Sequence, residues 1–175
     1  MPFIIRDLEP ADFETLWRID QACFPRGISY SRAELKFYIR RPGAFTLVAV
    51  VTDQSATAVP NSGHAGENPP PTRSGSSTVS GFIVAEANGE SGHIITIDVL
   101  AAARRSGVGS RLLRGAEDRL RSARCRLVEL ETAVDNVVAL SFYKRHGYSV
   151  IRTSPRYYSN GVDALVLEKE LMSSS

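Results

Sequence analysis

The sequence is poor in cysteine, in charge of one sign and in long apolar runs. Its two cysteines, Cys23 and Cys125, are too few for a disulfide framework, and no CxxC or Cys/His cluster indicates zinc. Lys and Arg number 21 against 19 acidic residues, and this balance gives no global reason to expect nucleic-acid binding. The longest strongly apolar stretch, Phe45–Val51, is far too short to span a bilayer. Disulfide-rich, transmembrane and strongly basic classes of protein are therefore excluded.

What remains is an ordinary globular composition, with 43% apolar and 23% charged residues. A length of 175 residues corresponds to about one domain. The opening residues, MPFIIRDLEP, turn acidic at once and lack the apolar core of a secretory signal. We therefore expect a single domain over residues 1–175, located in the cytoplasm and without membrane contact.

Residues 53–78 depart from this composition. The segment contains no aromatic residue, leucine or isoleucine, and is dominated by Ser, Thr, Gly, Pro and Ala. Such a segment cannot bury enough apolar area to offset the entropy of ordering it. It lies between two apolar runs, FTLVAVV and VSGFIVAEA. We predict a low-complexity mobile loop that joins two neighbouring strands of one domain.

The remaining periodicities predict the element order β-α-α-β-β-β-α-β-α-β-β, a mixed α/β sheet with helices on its faces. Pro10 is suited to open the first helix, and Ser31 begins a capping-box pattern for the second. Asn88-Gly89 is typical of a hairpin turn, and Asn136 is placed to cap the last helix.

The most informative stretch runs from Ile94 to Leu113. A strand ends near Leu100, and Arg104-Arg105-Ser106-Gly107-Val108-Gly109 then leads into an amphipathic helix. Glycines at such a turn let backbone N–H groups converge, and the helix N-terminus favours an anion. Arginines add charge-assisted hydrogen bonds to phosphate oxygens. This pattern predicts a pyrophosphate site, the alternative being a plain turn with solvated arginines.

Other nucleotide motifs do not match this stretch. The spacing is G-x-G without the third glycine of the dinucleotide fingerprint, and it lies past the middle of the chain. The pattern GxxxxGK[ST] is absent, so a P-loop for ATP or GTP is unsupported.

R-R-S-G-V-G resembles the (Q/R)-x-x-G-x-(G/A) signature of the GNAT family of N-acetyltransferases. Residues 130–148, LETAVDNVVALSFYKRHGY, are similar to the family's second motif, and the likeness covers nearly the whole chain. Within the family, IDQACFP and PRYYSNGVDALVLEKEL look like substrate segments of N-terminal protein acetyltransferases, including the ribosomal-protein-alanine type.

The resemblance implies a GNAT fold of the α/β (α+β) class, a mostly antiparallel sheet of about seven strands with four helices, splayed near residues 99 and 131. It implies acetyl-CoA as acetyl donor between the splayed strands, and no metal. Backbone groups of Val99 and Leu100 would hold the pantetheine, residues 104–110 the pyrophosphate, and Asn136 the cofactor arm. The expected cofactor-binding residues are Val99, Leu100, Arg104, Arg105, Ser106, Gly107, Val108, Gly109, Ser110 and Asn136.

The implied reaction is attack of an amine on the thioester. Because a terminal α-amine has a pKa near ~8, against ~10.4 for lysine, it needs only a modest base. Glu131 is the first candidate, with Glu129 a rival on the same side of the strand, and His93 is a candidate base or water-holding residue. Tyr143 matches the family's general acid. His64 and His146 suggest no role.

The acceptor is the least constrained part of the prediction. Five residues resemble the peptide-binding walls of N-terminal acetyltransferases: Phe24, Pro25, Tyr30, Tyr157 and Tyr158. We expect a protein or peptide N-terminus, a ribosomal protein among the candidates, no direct nucleic-acid partner, and a monomer or homodimer. The alternatives are a small amine, such as a polyamine, amino sugar or amino acid, and a non-catalytic acyl-CoA-binding domain.

Overall fold

The computed structural model describes residues 2–52 and 78–172. The predicted loop at 53–78 lies outside these residues except for Thr78, which begins a strand. The strands are β1 (Phe3–Asp7), β2 (Ala44–Val51), β3 (Thr78–Asn88), β4 (Ser91–Val99), β5 (Leu127–Ala133), β6 (Ser149–Ser154) and β7 (Ala164–Glu170). The helices are α1 (Phe13–Cys23), α2 (Arg32–Ile39), α3 (Val108–Ser122) and α4 (Val137–Arg145).

The strands form a seven-stranded sheet in the order β1-β2-β3-β4-β5-β7-β6. Every neighbouring pair is antiparallel except β4 and β5, which are parallel. The predicted fold class and element order are therefore confirmed. In the part of the chain that the structure describes, no helix is long and apolar enough to cross a membrane.

The sheet separates two hydrophobic clusters. On one face, Leu16 of α1 and Leu35 of α2 pack against Phe82. On the other, Leu112 of α3 packs against Ile83. The alternation of Phe82 and Ile83 follows from the period of two in a strand, so β3 is buried on both sides. The helices therefore cover both faces of the sheet at its centre, where β4 and β5 separate to form a cleft.

Two predicted caps are present. Ser31 Oγ accepts the backbone N–H of Glu34, whose carboxylate accepts the N–H of Ser31, and this reciprocal pair starts α2. Asn136 Oδ1 accepts the N–H of Ala139 at 3.1 Å and starts α4. Each cap satisfies donors that the first helical turn leaves without a partner.

Pro10 opens a helix at its first position, as predicted, but this first turn is a 3-10 turn. It covers Pro10–Asp12, and α1 begins only at Phe13. The reason is Asp12, whose carboxylate accepts the backbone N–H of Glu9 at 2.8 Å and a hydrogen bond from the Arg6 guanidinium at 2.7 Å. These bonds stabilise a tight turn at a position where an α-helix had been expected.

The β3–β4 hairpin differs from the prediction by one residue. Asn88 pairs with Ser91, so the loop consists of Gly89-Glu90 and not of Asn88-Gly89. Gly89 has φ +60° at the first loop position, which is the position that a type II′ turn reserves for glycine. The shift matters because it sets the register that places Glu86 opposite His93.

The two central strands diverge as predicted. β4 pairs with β5 only over Ser91–Ile94 and Leu127–Leu130. In the β3–β4 ladder, Val84 faces Thr96 and Ala85 faces Ile94, so Ile95 is an extra residue. A bulge of this kind bends a strand. Beyond it β4 leaves β5, and a cleft opens at the carboxyl ends of the two strands.

Candidate active site

The cleft between β4 and β5 has a volume of about 670 Å³. Its walls come from the segment between α1 and α2, from both strands, from the N-terminal turns of α3 and α4, and from the loop between β6 and β7. The predicted site residues that line it are Phe24, Pro25, Tyr30, Val99, Arg104, Arg105, Gly107, Gly109, Ser110, Glu131, Asn136, Tyr143 and Tyr158. The predicted residues outside the lining are Leu100, Ser106, Val108, His93 and Tyr157.

One end of the cleft is built to bind an anion. Gly107 is the N-cap of α3 with φ +87°, and Arg105 also has a positive φ, of 64°. Left-handed residues in such a turn direct successive N–H groups toward one point, where the helix dipole adds positive potential. The side chains of Arg104 and Arg105 line the same end, together with Arg145, which the sequence did not suggest. This donor set fits the diphosphate of acetyl-CoA.

The side chains of three other predicted residues of this loop make contacts inside the protein. Val108 is buried in the core, so only its backbone belongs to the turn. Ser106 Oγ donates to the carbonyl oxygen of Ala103. Ser110 Oγ lies 3.0 Å from Nε2 of His146, whose Nδ1 lies 2.8 Å from the carbonyl oxygen of Phe142. The imidazole of His146 therefore links α3 to α4, a role that the sequence did not suggest.

The two backbone positions predicted to hold the pantetheine, Val99 and Leu100, differ in the direction in which their backbone groups point. The N–H of Leu100 donates to Ser80 O at 2.9 Å and is directed at β3. The carbonyl of Val99 accepts from Arg104 Nε at 3.0 Å and from Cys23 Sγ at 3.5 Å. Because backbone groups of successive strand residues point in opposite directions, it is Val99 that faces the cleft.

Tyr143 lies between the anion end and the two central strands. It is only 6% exposed and lines the cleft from α4. Its ring packs edge-on against Phe142 and Tyr148, with centroids 5.3 and 5.7 Å away. Burial, and after it the negative charge of Asp98, raise the pKa of the Tyr143 hydroxyl. The hydroxyl is therefore protonated at neutral pH and able to donate.

Glu131 and His93, predicted separately as base candidates, are hydrogen-bonded to each other. Glu131 Oε2 lies 2.7 Å from His93 Nε2. Glu131 lines the cleft, whereas Glu129 does not. The geometry therefore favours Glu131 over its rival, with His93 directly behind it.

His93 has a second acidic neighbour that the sequence did not identify. Its Nδ1 lies 3.7 Å from Glu86 Oε1, and Glu86 Oε2 lies 3.1 Å from Arg41 Nε. Burial lowers the pKa of His93, but Glu131 and Glu86 act against it, and the net shift is upward. The available signal was the β3–β4 register, which pairs Glu86 with His93 once the turn is placed correctly.

Aromatic side chains form the other end of the cleft. Tyr30 Oη donates to the carbonyl oxygen of Ile95 at 3.4 Å, and Phe24 and Pro25 continue this wall. Tyr158 stands opposite, with Tyr157 edge-on at 5.0 Å between ring centroids. Tyr157 is 47% exposed and lies at the rim. Burial and the nearby Glu131 carboxylate raise its pKa to about 12.

Two buried carboxyl groups lie behind this wall. Asp20 of α1 and Asp98 of β4 are 0% and 1% exposed. Asp20 Oδ2 accepts the N–H of Tyr30 at 2.8 Å, and Asp98 Oδ2 accepts Thr96 Oγ1 at 3.2 Å. Burial is the main cause that raises both pKa values. Helical spacing from Phe13, Leu16 and Trp17 places Asp20 on the inward face of α1. Asp98 was not identified, because an acidic residue ordinarily faces solvent.

Comparison with known proteins decides the family. The acetyltransferase (GNAT) family model matches residues 13–148. The chain belongs to this family. The matched region contains the whole anion-binding turn, Glu131, His93 and Tyr143, whereas the cleft wall from the loop between β6 and β7 lies beyond it.

Curated relatives of this GNAT chain are N-acetyltransferases by name. An uncharacterised N-acetyltransferase of Methanocaldococcus jannaschii is 37% identical over 93 residues, 53% of this chain and 60% of that protein. N-alpha-acetyltransferase 30 of Schizosaccharomyces pombe is 34% identical over 73 residues, 42% of this chain and 49% of that protein. The chain thus spans about half the length of the curated relatives it matches.

Solved structures share the fold over almost the full length. Ard1 from Thermoplasma volcanium superposes with a TM-score of 0.77 at 24% identity, covering 99% of this chain and all of that one. The ribosomal-protein alanine N-acetyltransferase of Escherichia coli has a TM-score of 0.74 at 16% identity, covering 99% and 97%. A NatC complex bound to Gag peptide and CoA gives 0.74 at 22% identity, covering 98% and 100%.

Proposed function

We propose that this protein is an acetyl-CoA-dependent N-acetyltransferase that acetylates the α-amine of a protein or peptide N-terminus. The observation that carries the proposal is that the two ends of one continuous cleft differ in chemistry. A turn of backbone amides and arginines lies at one end, and aromatic walls lie at the other. Glu131 lines the cleft, and His93 is hydrogen-bonded to it from behind. Named N-alpha-acetyltransferases among the relatives support the same acceptor class.

The donor fits the anion end. Arg104, Arg105 and the amides from Gly107 to Ser110 would hold its diphosphate, and Asn136 would flank its arm at the start of α4. When bound, acetyl-CoA supplies the acetyl group as an activated thioester. The glycine at 107 is required because a φ of +87° is strained for any residue with a Cβ.

The acceptor amine must lose a proton before it can attack. At neutral pH roughly a tenth of a terminal α-amine is already neutral, so a weak base suffices. Glu131 is that base: its carboxylate receives the proton at Oε2 or Oε1, and His93 Nε2, 2.7 Å from Oε2, shares it.

Tyr143 supplies a proton on the other side of the reaction. Its hydroxyl is held by packing against Phe142 and Tyr148 and stays protonated through neutral pH. It therefore serves as general acid at Oη, where a thiolate leaving group develops negative charge.

The acceptor end suits a peptide backbone better than a small polyamine. Tyr30, Tyr157 and Tyr158 combine flat apolar faces with hydroxyl groups, which is the chemistry that an extended peptide offers to match. Ribosomal-protein N-termini belong in the acceptor panel, since a ribosomal-protein alanine N-acetyltransferase has the same fold.

The test is acetyl transfer to matched acceptors, followed by mass spectrometry with fragmentation. One set holds peptides with a free α-amine and no lysine, and the second holds the same peptides with a blocked N-terminus and one internal lysine. A third set holds polyamines, amino sugars and free amino acids. Acetylation of the first set alone is expected. Turnover confined to the third set would replace the peptide acceptor, and acetyl-CoA binding without any turnover would replace the enzyme by a binding domain.

A further inference from the structure

A chain of four polar side chains, two carboxylates, an imidazole and a guanidinium, leads out of the cleft across three neighbouring strands. Glu131 on β5 meets His93 on β4 at 2.7 Å, His93 meets Glu86 on β3 at 3.7 Å, and Glu86 meets Arg41 at 3.1 Å. The exposed fractions of the side chains are 16%, 35%, 11% and 39% in that order. The chain therefore begins in the cleft and ends at a solvent-accessible guanidinium.

We propose that Glu86 and Arg41 are positioning residues that hold His93 against Glu131 and set how readily this pair takes up a proton. The inference rests on the proposed function, in which Glu131 receives the proton of the acceptor amine. It adds two residues that touch neither acceptor nor donor and act only through His93.

The geometry at His93 explains why Glu86 is needed. A 2.7 Å contact between a carboxylate and an imidazole nitrogen requires one proton between them. With that proton on Nε2, a second proton goes to Nδ1. Among the described residues, Glu86 is the only one with a carboxylate within salt-bridge distance of that nitrogen. Its charge favours the imidazolium form, so the pair accepts the amine proton with a change of net charge from −1 to 0.

Arg41 opposes this effect. Its guanidinium lies 3.1 Å from Glu86 and offsets the charge that Glu86 presents to His93. Glu86 and Arg41 therefore act on the pair with opposite signs, Glu86 increasing its proton affinity and Arg41 moderating it. If the two residues only stabilised the fold, their substitutions would not shift the proton affinity of the pair in opposite directions.

Titratable groups surround the pair on three sides. Glu86 faces His93 from β3 and Glu131 faces it from β5, where Glu129 is the register partner of His93. Tyr157 and Tyr158 lie near Glu131 in the loop between β6 and β7, and Arg152 of β6 acts on Tyr157. Because these other groups stay unchanged in the variants, a shift can be assigned to the residue that was altered.

The first measurement is the pH profile of kcat/KM with one peptide acceptor, whose own amine titrates identically in every variant. Its acidic limb reports the proton that the free enzyme must lose. Glu86→Gln should move this limb down by about one pH unit, and Arg41→Gln should move it up by roughly half a unit. Arg41→Lys, which keeps the charge, should restore most of the profile. Arg40→Gln and Glu90→Gln, both exposed, are matched controls that should leave it in place.

The second measurement does not depend on turnover. The chain has three histidines, and the NMR signal of the His93 ring is assigned by its loss in His93→Gln. The midpoint of its titration should fall in Glu86→Gln and in Glu131→Gln, and rise in Arg41→Gln. Circular dichroism spectra confirm that each variant is folded.

The outcomes separate the two proposals. Opposite shifts of the His93 midpoint without peptide acetylation would support the charge chain and refute the proposed acceptor. Turnover with no shift, or with shifts of the same sign in Glu86→Gln and Arg41→Gln, would refute the charge chain and leave the proposed function standing.

Discussion

The buried carboxyl of Asp20 makes folding stability depend on pH in a direction that can be worked out. The side chain is fully buried, and its Oδ1 atom has no hydrogen-bond partner among the residues described. Burial, as the main cause, raises its pKa from 3.8 to about 6. The folded protein therefore binds a proton at Asp20 that the unfolded chain has already lost between about pH 4 and pH 6.

The sign follows from this difference. Because the folded state holds more protons in this window, the free energy of unfolding decreases as the pH rises through it. Each pKa unit corresponds to about 1.4 kcal/mol, so the carboxylate destabilises the folded protein by about 3 kcal/mol at pH 8. Asp20→Asn keeps an acceptor for the Tyr30 N–H and removes the charge.

Urea unfolding, followed by fluorescence of the single tryptophan, measures the effect at a series of pH values. The free energy of unfolding of Asp20→Asn relative to wild type should increase by about 2–3 kcal/mol between pH 4 and pH 8. Asp135→Asn, a substitution of the same type at an exposed position, is the matched control. A constant difference for Asp20→Asn would refute the assignment of a buried, protonated Asp20.

Three further variants test other parts of the structure. Tyr143→Phe should lower kcat by at least a hundredfold while the Kd for acetyl-CoA, from calorimetry, changes less than about twofold; a pure loss of affinity would contradict a general acid. Gly107→Val should weaken acetyl-CoA binding by at least about tenfold, whereas Gly89→Val, also at a positive φ but in the β3–β4 hairpin, should lower only the stability of the fold. Glu117→Gln should lower the free energy of unfolding by about 2–4 kcal/mol in urea titrations, because Glu117 is buried and accepts Lys169 Nζ at 2.9 Å on both oxygens. A loss below about 0.5 kcal/mol would show that this pair contributes little.

Local signals in the sequence were sufficient to predict most of the helices, strands and turns of the fold. Capping residues such as Ser31 and Asn136 act within four residues of themselves, so their pattern is visible in the printed chain. The phosphate turn is likewise local, because Gly107 must adopt its positive φ whatever surrounds it. The 3-10 form of the turn at Pro10 and the one-residue error at Asn88 arose where a side-chain hydrogen bond or a neighbouring strand competes with the local preference.

The site was harder to predict because its chemistry depends on contacts between distant residues. Glu131 and His93 are 38 positions apart, and a sequence shows neither the 2.7 Å between them nor the carboxylate of Glu86 on the far side. Helical spacing places Asp20 on the apolar face of α1, but the sequence does not show how completely packing against the sheet buries its carboxyl group. Roles that follow from one residue type and its neighbours were recoverable, whereas those that depend on an electrostatic environment were not.

The short parallel pairing between β4 and β5 divides the sheet into two groups of strands, here called plates. β1 to β4 form one plate and β5 to β7 the other, and the seam between them pairs Ser91–Ile94 with Leu127–Leu130. By contrast, β5 and β7 are paired over the full length from Leu127 to Ala133. The anion-binding turn extends from the first plate, while Glu131 and the tyrosines near residue 158 belong to the second. The hydrophobic cluster that contains Ile83, Leu112 and Leu167 has members from both plates, so its packing holds the plates at one relative angle and thereby fixes the width of the cleft.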